Sequence, residues 1–207
     1  IEPQKPGQSP GLMEPITKQS YVHRDVEDIP RRRPRAAQIE TANRPGPVHG
    51  DVLMDVQGVA ADIEPPEPTQ HRPHSRPGGD PKTVSDAAEL LENADRPVLV
   101  AGGGTMLAEV WDEVQALAEH LKAPVIPTFQ AKGIIPEDHD LFVGYAGWIG
   151  STAGNERASN ADTILAIGCR FTDMHTSSFK NGVRFEIPQS KLIHVDIDRE
   201  EIGKNYP

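Results

Sequence analysis

Three short stretches of this chain carry residue types that suit the binding of a phosphorylated ligand. The first is Gly102-Gly103-Gly104-Thr105, which follows directly on the apolar run Pro97-Val98-Leu99-Val100-Ala101. A backbone without Cβ atoms lets a phosphate or sugar approach closely, and a helix starting there turns its positive end toward the ligand. The same residues also suit a tight strand-to-helix turn with no ligand, and the turn by itself leaves both readings open. It is not the dinucleotide fingerprint, because Leu107 stands where the third glycine belongs, and no acidic residue ends the run Val125 to Thr128 to hold a ribose. The second stretch is Gly168-Cys169-Arg170-Phe171-Thr172-Asp173. Its Arg170 offers a planar fork that fits a phosphate, or an ion pair with Asp173. The third is His194-Val195-Asp196-Ile197-Asp198, where Asp196 either accepts from ribose hydroxyls or caps the next turn.

Other chemically suggestive residues do not assemble into a site. His71 and His74 have a spacing that some metal sites use, but they sit in a proline-rich stretch with no third ligand. Arg31, Arg32, Arg33 and Arg35 read as a solvated helix face. Cys169 lies beside an apolar run and reads as a small core residue rather than a nucleophile. There is no Ser-His-Asp signature and no phosphate loop ending in Gly-Lys-Ser/Thr. No catalytic residue and no metal ligand is assigned.

The three stretches gain meaning from the elements that must position them. Thr83 or Ser85 is expected to cap a helix whose Val84, Ala87, Ala88, Leu91 and Ala94 recur at helical spacing. Pro97 to Ala101 is a fully apolar run of the kind found in a strand covered on both faces. A second helix is expected to carry Leu107, Val110, Val114, Leu117, Ala118 and Leu121 on one side. Further strands are expected at Pro124 to Thr128, Thr163 to Gly168 and Leu192 to Ile197, with a short helix around Thr152 to Ser159. Strands alternating with helices predict an α/β fold, a Rossmann-like parallel sheet flanked by helices with right-handed crossovers. All three stretches then fall at the carboxyl ends of strands, where such sheets bind ligands.

Ahead of this regular part the chain reads differently. Ile1 to about Tyr21 shows no sustained period and is expected to be irregular. Asp28 is expected to cap a helix running to Asn43, interrupted by Pro34. Val48 to Val56 reads as a strand with Val48, Val52, Met54 and Val56 on one face. Residues 58–82 are rich in proline and read as a linker.

With 21 Lys and Arg against 31 Asp and Glu, the net charge of -10 argues against nucleic acid or an anionic membrane as partner. A single cysteine, no apolar run long enough to span a bilayer and no signal-peptide pattern predict a cytoplasmic protein.

Five segments, in order, are GLMEPITK (Gly11 to Lys18), NRPGPV followed by MDVQ (Asn43 to Gln57), RPVLVAGGG (Arg96 to Gly104), ADTILAIGCRFTD (Ala161 to Asp173) and KLIHVDIDREEIGKN (Lys191 to Asn205). Together they resemble thiamine-diphosphate-dependent enzymes of the acetolactate synthase type, which act on 2-keto acids. The resemblance implies that residues 1–57 correspond to the end of a pyrimidine-binding domain, 58–82 to the linker, and 83–207 to a central domain ending short of its usual length. It implies thiamine diphosphate and Mg²⁺ in the parent enzyme, held by domains this chain does not carry, so that the chain alone is inactive. It further implies that FAD, as in the FAD-containing relatives, or an adenine nucleotide such as ADP, as in others, is held through Arg44, Gly102, Gly103, Gly104, Thr128, Gly168, Arg170 and Asp196; some relatives hold nothing there. The remaining domains of the parent and a homo-oligomeric assembly are the expected partners. Trp148 stands in a segment, Ala146 to Ile149, that differs from the family's; it either stacks on a ligand ring or fills its place. The alternative is a free-standing nucleotide-binding module, resembling deoxyhypusine synthase and unrelated to thiamine chemistry.

Overall fold

The computed structural model describes residues 9–64, 67, 76–180 and 183–207, and the chain divides into two compact units at Arg76/Pro77. His71 and His74 lie outside the described residues.

The first unit contains α1 (Ser9–Met13), a 3-10 turn (Glu14–Ile16), β1 (Gln19–His23), α2 (Asp28–Thr41), β2 (Val48–Val52) and α3 (Met54–Gln57). β1 and β2 pair in parallel, Gln19 opposite Val48 and His23 opposite Val52, with α2 as the crossover. The sequence reading needs correction at three places. The stretch up to Tyr21 is not irregular throughout, because Gln19–His23 becomes a strand by pairing with residues almost thirty positions away, which no local periodicity reports. The second strand stops at Val52. Gln57 Nε2 then donates to the Val52 carbonyl at 2.7 Å, and the short helix α3 buries Val56 while leaving Met54 83% exposed, so these two share no face. Asp28 is the first residue of α2 rather than its cap; its carboxylate pairs with Arg31 and, at 3.3 Å, with Arg32, placing negative charge at the helix start where the dipole favours it.

Pro34 sits inside α2, and no residue of that helix is buried. The other end of α2 is held by Lys18, whose Nζ donates to the carbonyls of Ile39, Ala42 and Arg44 at 2.6, 2.7 and 3.0 Å. An ammonium there satisfies carbonyls that a helix leaves without partners. Among the described residues of this unit only His23 and Val56 are buried.

The second unit starts with α4 (Pro81–Glu92), followed by β3 (Pro97–Ala101), α5 (Gly103–Ala108), α6 (Trp111–Leu121), β4 (Val125–Pro127), α7 (Thr152–Asn160), β5 (Thr163–Ile167), α8 (Asp173–Thr176) and β6 (Lys191–Val195). All pairings are parallel and the strand order is β4-β3-β5-β6. Leu99, Ala101, Val125, Leu165 and Ile193 pack on one face, and Val98, Val100, Ile126, Ile164 and Ala166 on the other, which is why these strands read as unbroken apolar runs.

Two expectations are corrected here as well. The cap of α4 is Asp80, whose carboxylate accepts from the Thr83 amide at 2.9 Å, with Pro81 in the first turn where its missing N–H costs nothing. The single helix after the glycines is two helices. Glu109 takes a left-handed conformation (φ 57°) and ends α5, leaving Leu107 65% exposed instead of on the buried stripe.

At the amino edge of the sheet, Asp162 Oδ2 accepts from the amides of Asp95 and Arg96 at 3.1 and 2.9 Å. Arg96 Nε donates to the Asn160 carbonyl at 2.8 Å, and Ser190 Oγ to the Ala161 carbonyl at 2.7 Å. These contacts align the starts of β3, β5 and β6, so that their carboxyl ends come level at the opposite edge.

Candidate functional site

From β3 the chain runs through α5 and α6 to β4 on one side, then crosses to β5 on the other, so the strand order reverses at β3. In an open parallel sheet that reversal leaves a crevice outside the carboxyl ends of the two strands. Gly102, Gly103, Gly104, Thr128, Gly168, Arg170 and Asp196 all lie along this edge, at the ends of β3, β4, β5 and β6. Arg44 belongs to the first unit, on the turn after α2, where its carbonyl accepts from Lys18.

Gly102, Gly104 and Gly168 are required by the protein's own backbone. Gly102 N–H donates to the Ile167 carbonyl at 2.8 Å and Gly104 N–H to the Gly168 carbonyl at 3.2 Å. A Cβ added at Gly102 would overlap Gly168 and lie 2.5 Å from Cys169 Cα; one at Gly104 would lie 2.7 Å from Gly168 Cα. Gly168 itself has φ +57°, and a Cβ there would meet Gly104 Cα at 2.5 Å. Two of the N–H groups that a phosphate cradle would use are therefore already partnered. The Thr105 hydroxyl closes the turn by donating to the Gly102 carbonyl at 2.7 Å.

The side chains of the edge are better disposed toward a ligand. Thr128 donates its N–H to Ala101, while its Oγ1 is buried with no hydrogen-bond partner among the described residues. It lines a cavity of about 10 Å³, room for one water at most, together with Cys169, Phe171 and His175. Arg170 is exposed, and among the described residues no carboxylate lies within ion-pair distance of it, Asp173 included. Asp196 is half-buried and uses Oδ1 to accept from the Asp198 amide at 2.9 Å, a local turn contact that leaves its second oxygen available.

Burial sets the protonation states of the two titratable groups beside this edge. Burial is the main cause that pushes the Cys169 thiol up to about 11, so it is protonated at neutral pH. Cys169 is thus the core residue its neighbours suggested. Burial, with Arg170 adding to it, holds His175 below its ordinary value and so neutral. Its ring centroid is 5.2 Å from that of Phe129.

Sequence reasoning missed His175 and an aromatic cluster around Phe171. The rings of Phe185, His194 and Tyr206 stand edge-on to Phe171 at 5.4, 5.5 and 5.1 Å. These residues are too scattered along the chain for any spacing rule to group them. Trp148 donates its backbone N–H to the Met174 carbonyl at 3.1 Å but is 75% exposed, so its ring does not fill the cavity.

A family model described as the thiamine pyrophosphate enzyme central domain matches residues 84–207, the whole of the sheet just described. The chain belongs to the thiamine pyrophosphate enzymes. It is 42% identical over 202 residues to a probable acetolactate synthase large subunit of Methanocaldococcus jannaschii, covering 94% of this chain and 33% of that protein. It is 36% identical over 196 residues to the acetolactate synthase large subunit of Corynebacterium glutamicum, with 94% and 30% covered. Against the isozyme 1 large subunit of Escherichia coli it is 36% identical over 194 residues, with 94% and 33% covered. The chain therefore spans about a third of the length of these relatives. The match overturns the alternative of a module unrelated to the thiamine enzymes. Among its described residues no helix is long and apolar enough to cross a membrane, and no group of three or more His, Cys, Asp or Glu is arranged to hold a metal ion.

Proposed function

We propose that this chain is the central part of an acetolactate-synthase-like, thiamine-diphosphate-dependent carboligase or decarboxylase that acts on 2-keto acids in the cytoplasm, and that it is inactive by itself. Residues 1–57 are the end of the pyrimidine-binding domain, 58–82 the linker and 83–207 the central domain. Its partners are the remaining domains of the parent chain and further copies of that chain. The family match over residues 84–207, combined with about one-third coverage of the acetolactate synthases, carries this reading. Thiamine diphosphate, held with Mg²⁺ by the whole enzyme, supplies the carbanion for the carbon-carbon step. No group of three or more potential ligands for that metal is found among the described residues here.

The role of the sheet edge is to hold an adenine nucleotide, FAD or ADP. The exposed Arg170, with no carboxylate in ion-pair distance among the described residues, and the second carboxylate oxygen of Asp196 at the same edge support this most directly. Arg170 takes the diphosphate through its fork, Asp196 accepts from ribose hydroxyls, and the close-packed glycines keep water from the floor of the crevice. Titration calorimetry of the 207-residue chain with FAD and ADP tests the reading. Binding is expected, and Arg170→Ala should weaken it by roughly one to two decades, the equivalent of about 1.5–3 kcal/mol. No heat with either nucleotide at about 1 mM, where even -4 kcal/mol registers, refutes the nucleotide site. Steady formation of acetolactate from pyruvate, thiamine diphosphate and Mg²⁺ by the pure chain refutes its inactivity.

A further inference from the structure

The loop that leaves β5 is held in place by side chains that come much later in the chain. Three successive carbonyls are taken up this way. His194 Nε2 lies 2.8 Å from the Cys169 carbonyl, and Asn205 Nδ2 donates to the carbonyls of Arg170 and Phe171 at 3.0 and 3.1 Å. Between them Phe171 adopts a left-handed backbone (φ 49°), which a residue with a bulky side chain avoids unless its surroundings impose it. Its ring is 2% exposed, and Tyr206, 5% exposed, closes over it edge-on at 5.1 Å while also touching Phe179 at 5.8 Å.

The residue type does not favour this conformation. Residue 171 is not a glycine, an asparagine or an aspartate, the residues that enter the left-handed region most readily. The turn is selected by Asn205 from the carbonyl side and by Tyr206 from the ring side. If either lets go, residue 171 returns to a right-handed or extended backbone, and the direction in which Arg170 leaves the loop changes with it.

We propose that Asn205 and Tyr206 form a strap that positions Arg170 at the carboxyl edge of the sheet. The claim about the loop stands on its own; the claim that Arg170 there meets a nucleotide rests on the function proposed above. The two are positioning residues. The Tyr206 hydroxyl takes no part, being buried with no partner among the described residues.

The test uses the full 207-residue chain with Asn205→Ala, Tyr206→Leu and Tyr206→Phe, read by amide exchange and NMR and by titration with ADP. In the parent chain Phe171 should show the strong intraresidue amide-to-α-proton Overhauser effect of a left-handed residue. Asn205→Ala and Tyr206→Leu should weaken it and speed amide exchange over residues 170–172 by about tenfold, the consequence of losing contacts worth about one decade. Tyr206→Phe should match the parent. ADP affinity should fall about three- to tenfold in Asn205→Ala, less than in Arg170→Ala. Asn205 is half-exposed and its truncation opens no core, so this variant decides the matter if Tyr206→Leu fails to fold. An unchanged Phe171 signal and unchanged exchange in Asn205→Ala overturn the strap. If the parent binds no ADP but the loop responds as described, the nucleotide reading falls and the strap stands.

Discussion

Gly102→Ala separates two explanations for the glycine run. If Gly102 is there to admit a phosphate, an added methyl group blocks the ligand and leaves the empty protein intact. The geometry predicts the reverse. The new Cβ would overlap Gly168 and sit 2.5 Å from Cys169 Cα, and all of these are backbone atoms of a central strand end. They cannot swing aside as a flexible side chain would. β3 and β5 must therefore part at their carboxyl ends, and the bonds from Gly102 N–H to Ile167 and from Gly104 N–H to Gly168 lengthen or break. Overpacking of this kind costs about 1–3 kcal/mol, and two backbone hydrogen bonds add about 0.5–1.5 kcal/mol each, so the variant should lose about 2–6 kcal/mol. Against a total stability of about 5–15 kcal/mol, that is a large share. Thermal unfolding followed by circular dichroism, without added nucleotide, should show Tm lowered by about 10–20 °C. Gly103→Ala is the internal comparison. Its Cβ would lie 2.8 Å from Gln130 Cβ, an atom that moves only with its own backbone. This is one close contact at a turn outside the strands, against several at Gly102, and alanine suits the start of α5, so the loss should be smaller. A Gly102→Ala protein with the parent's Tm and weakened ADP binding would refute the packing argument.

Three further outcomes follow from residues around the same sheet. Asp162→Ala leaves the amides of Asp95 and Arg96 without their acceptor and should cost about 1–3 kcal/mol in urea unfolding, with Asp162→Asn recovering part of it. Cys169, with its thiol pushed up to about 11, carries about one part in a thousand thiolate at pH 8, so iodoacetamide should label it only on unfolding; labelling at the rate of a free thiol would contradict its burial. His175 binds its proton less readily folded than unfolded. Its contribution is therefore complete above its ordinary value of 6.5 and is lost as pH falls below that toward the lower folded value. His175→Gln should flatten the decline of Tm between about pH 7 and 5, leaving the share due to His23, which burial lowers in the same direction. A slope identical to the parent's would remove His175 from the account.

The amino-acid sequence by itself determined the second unit's strands and most of its helices. Pro97–Ala101 and Thr163–Ile167 are apolar throughout because both faces of a parallel sheet are covered, and that signal is local. The placing of seven candidate residues at one edge followed from the alternation of strand and helix alone. Other features depend on partners far away in the chain. Gln19–His23 is a strand only because Val48–Val52 pairs with it, and Met54 and Val56 part company because a helical turn replaces the expected period of two. Tertiary structure also decided what the glycines are for. A glycine in the sequence is equally consistent with a ligand and with a neighbouring strand, and only the position of Gly168 against Gly102 and Gly104 shows that backbone fills the space. The left-handed Phe171 lies still further from local reach. Its conformation is imposed by His194, Asn205 and Tyr206, and a backbone state chosen by distant side chains leaves no pattern in the residues that adopt it.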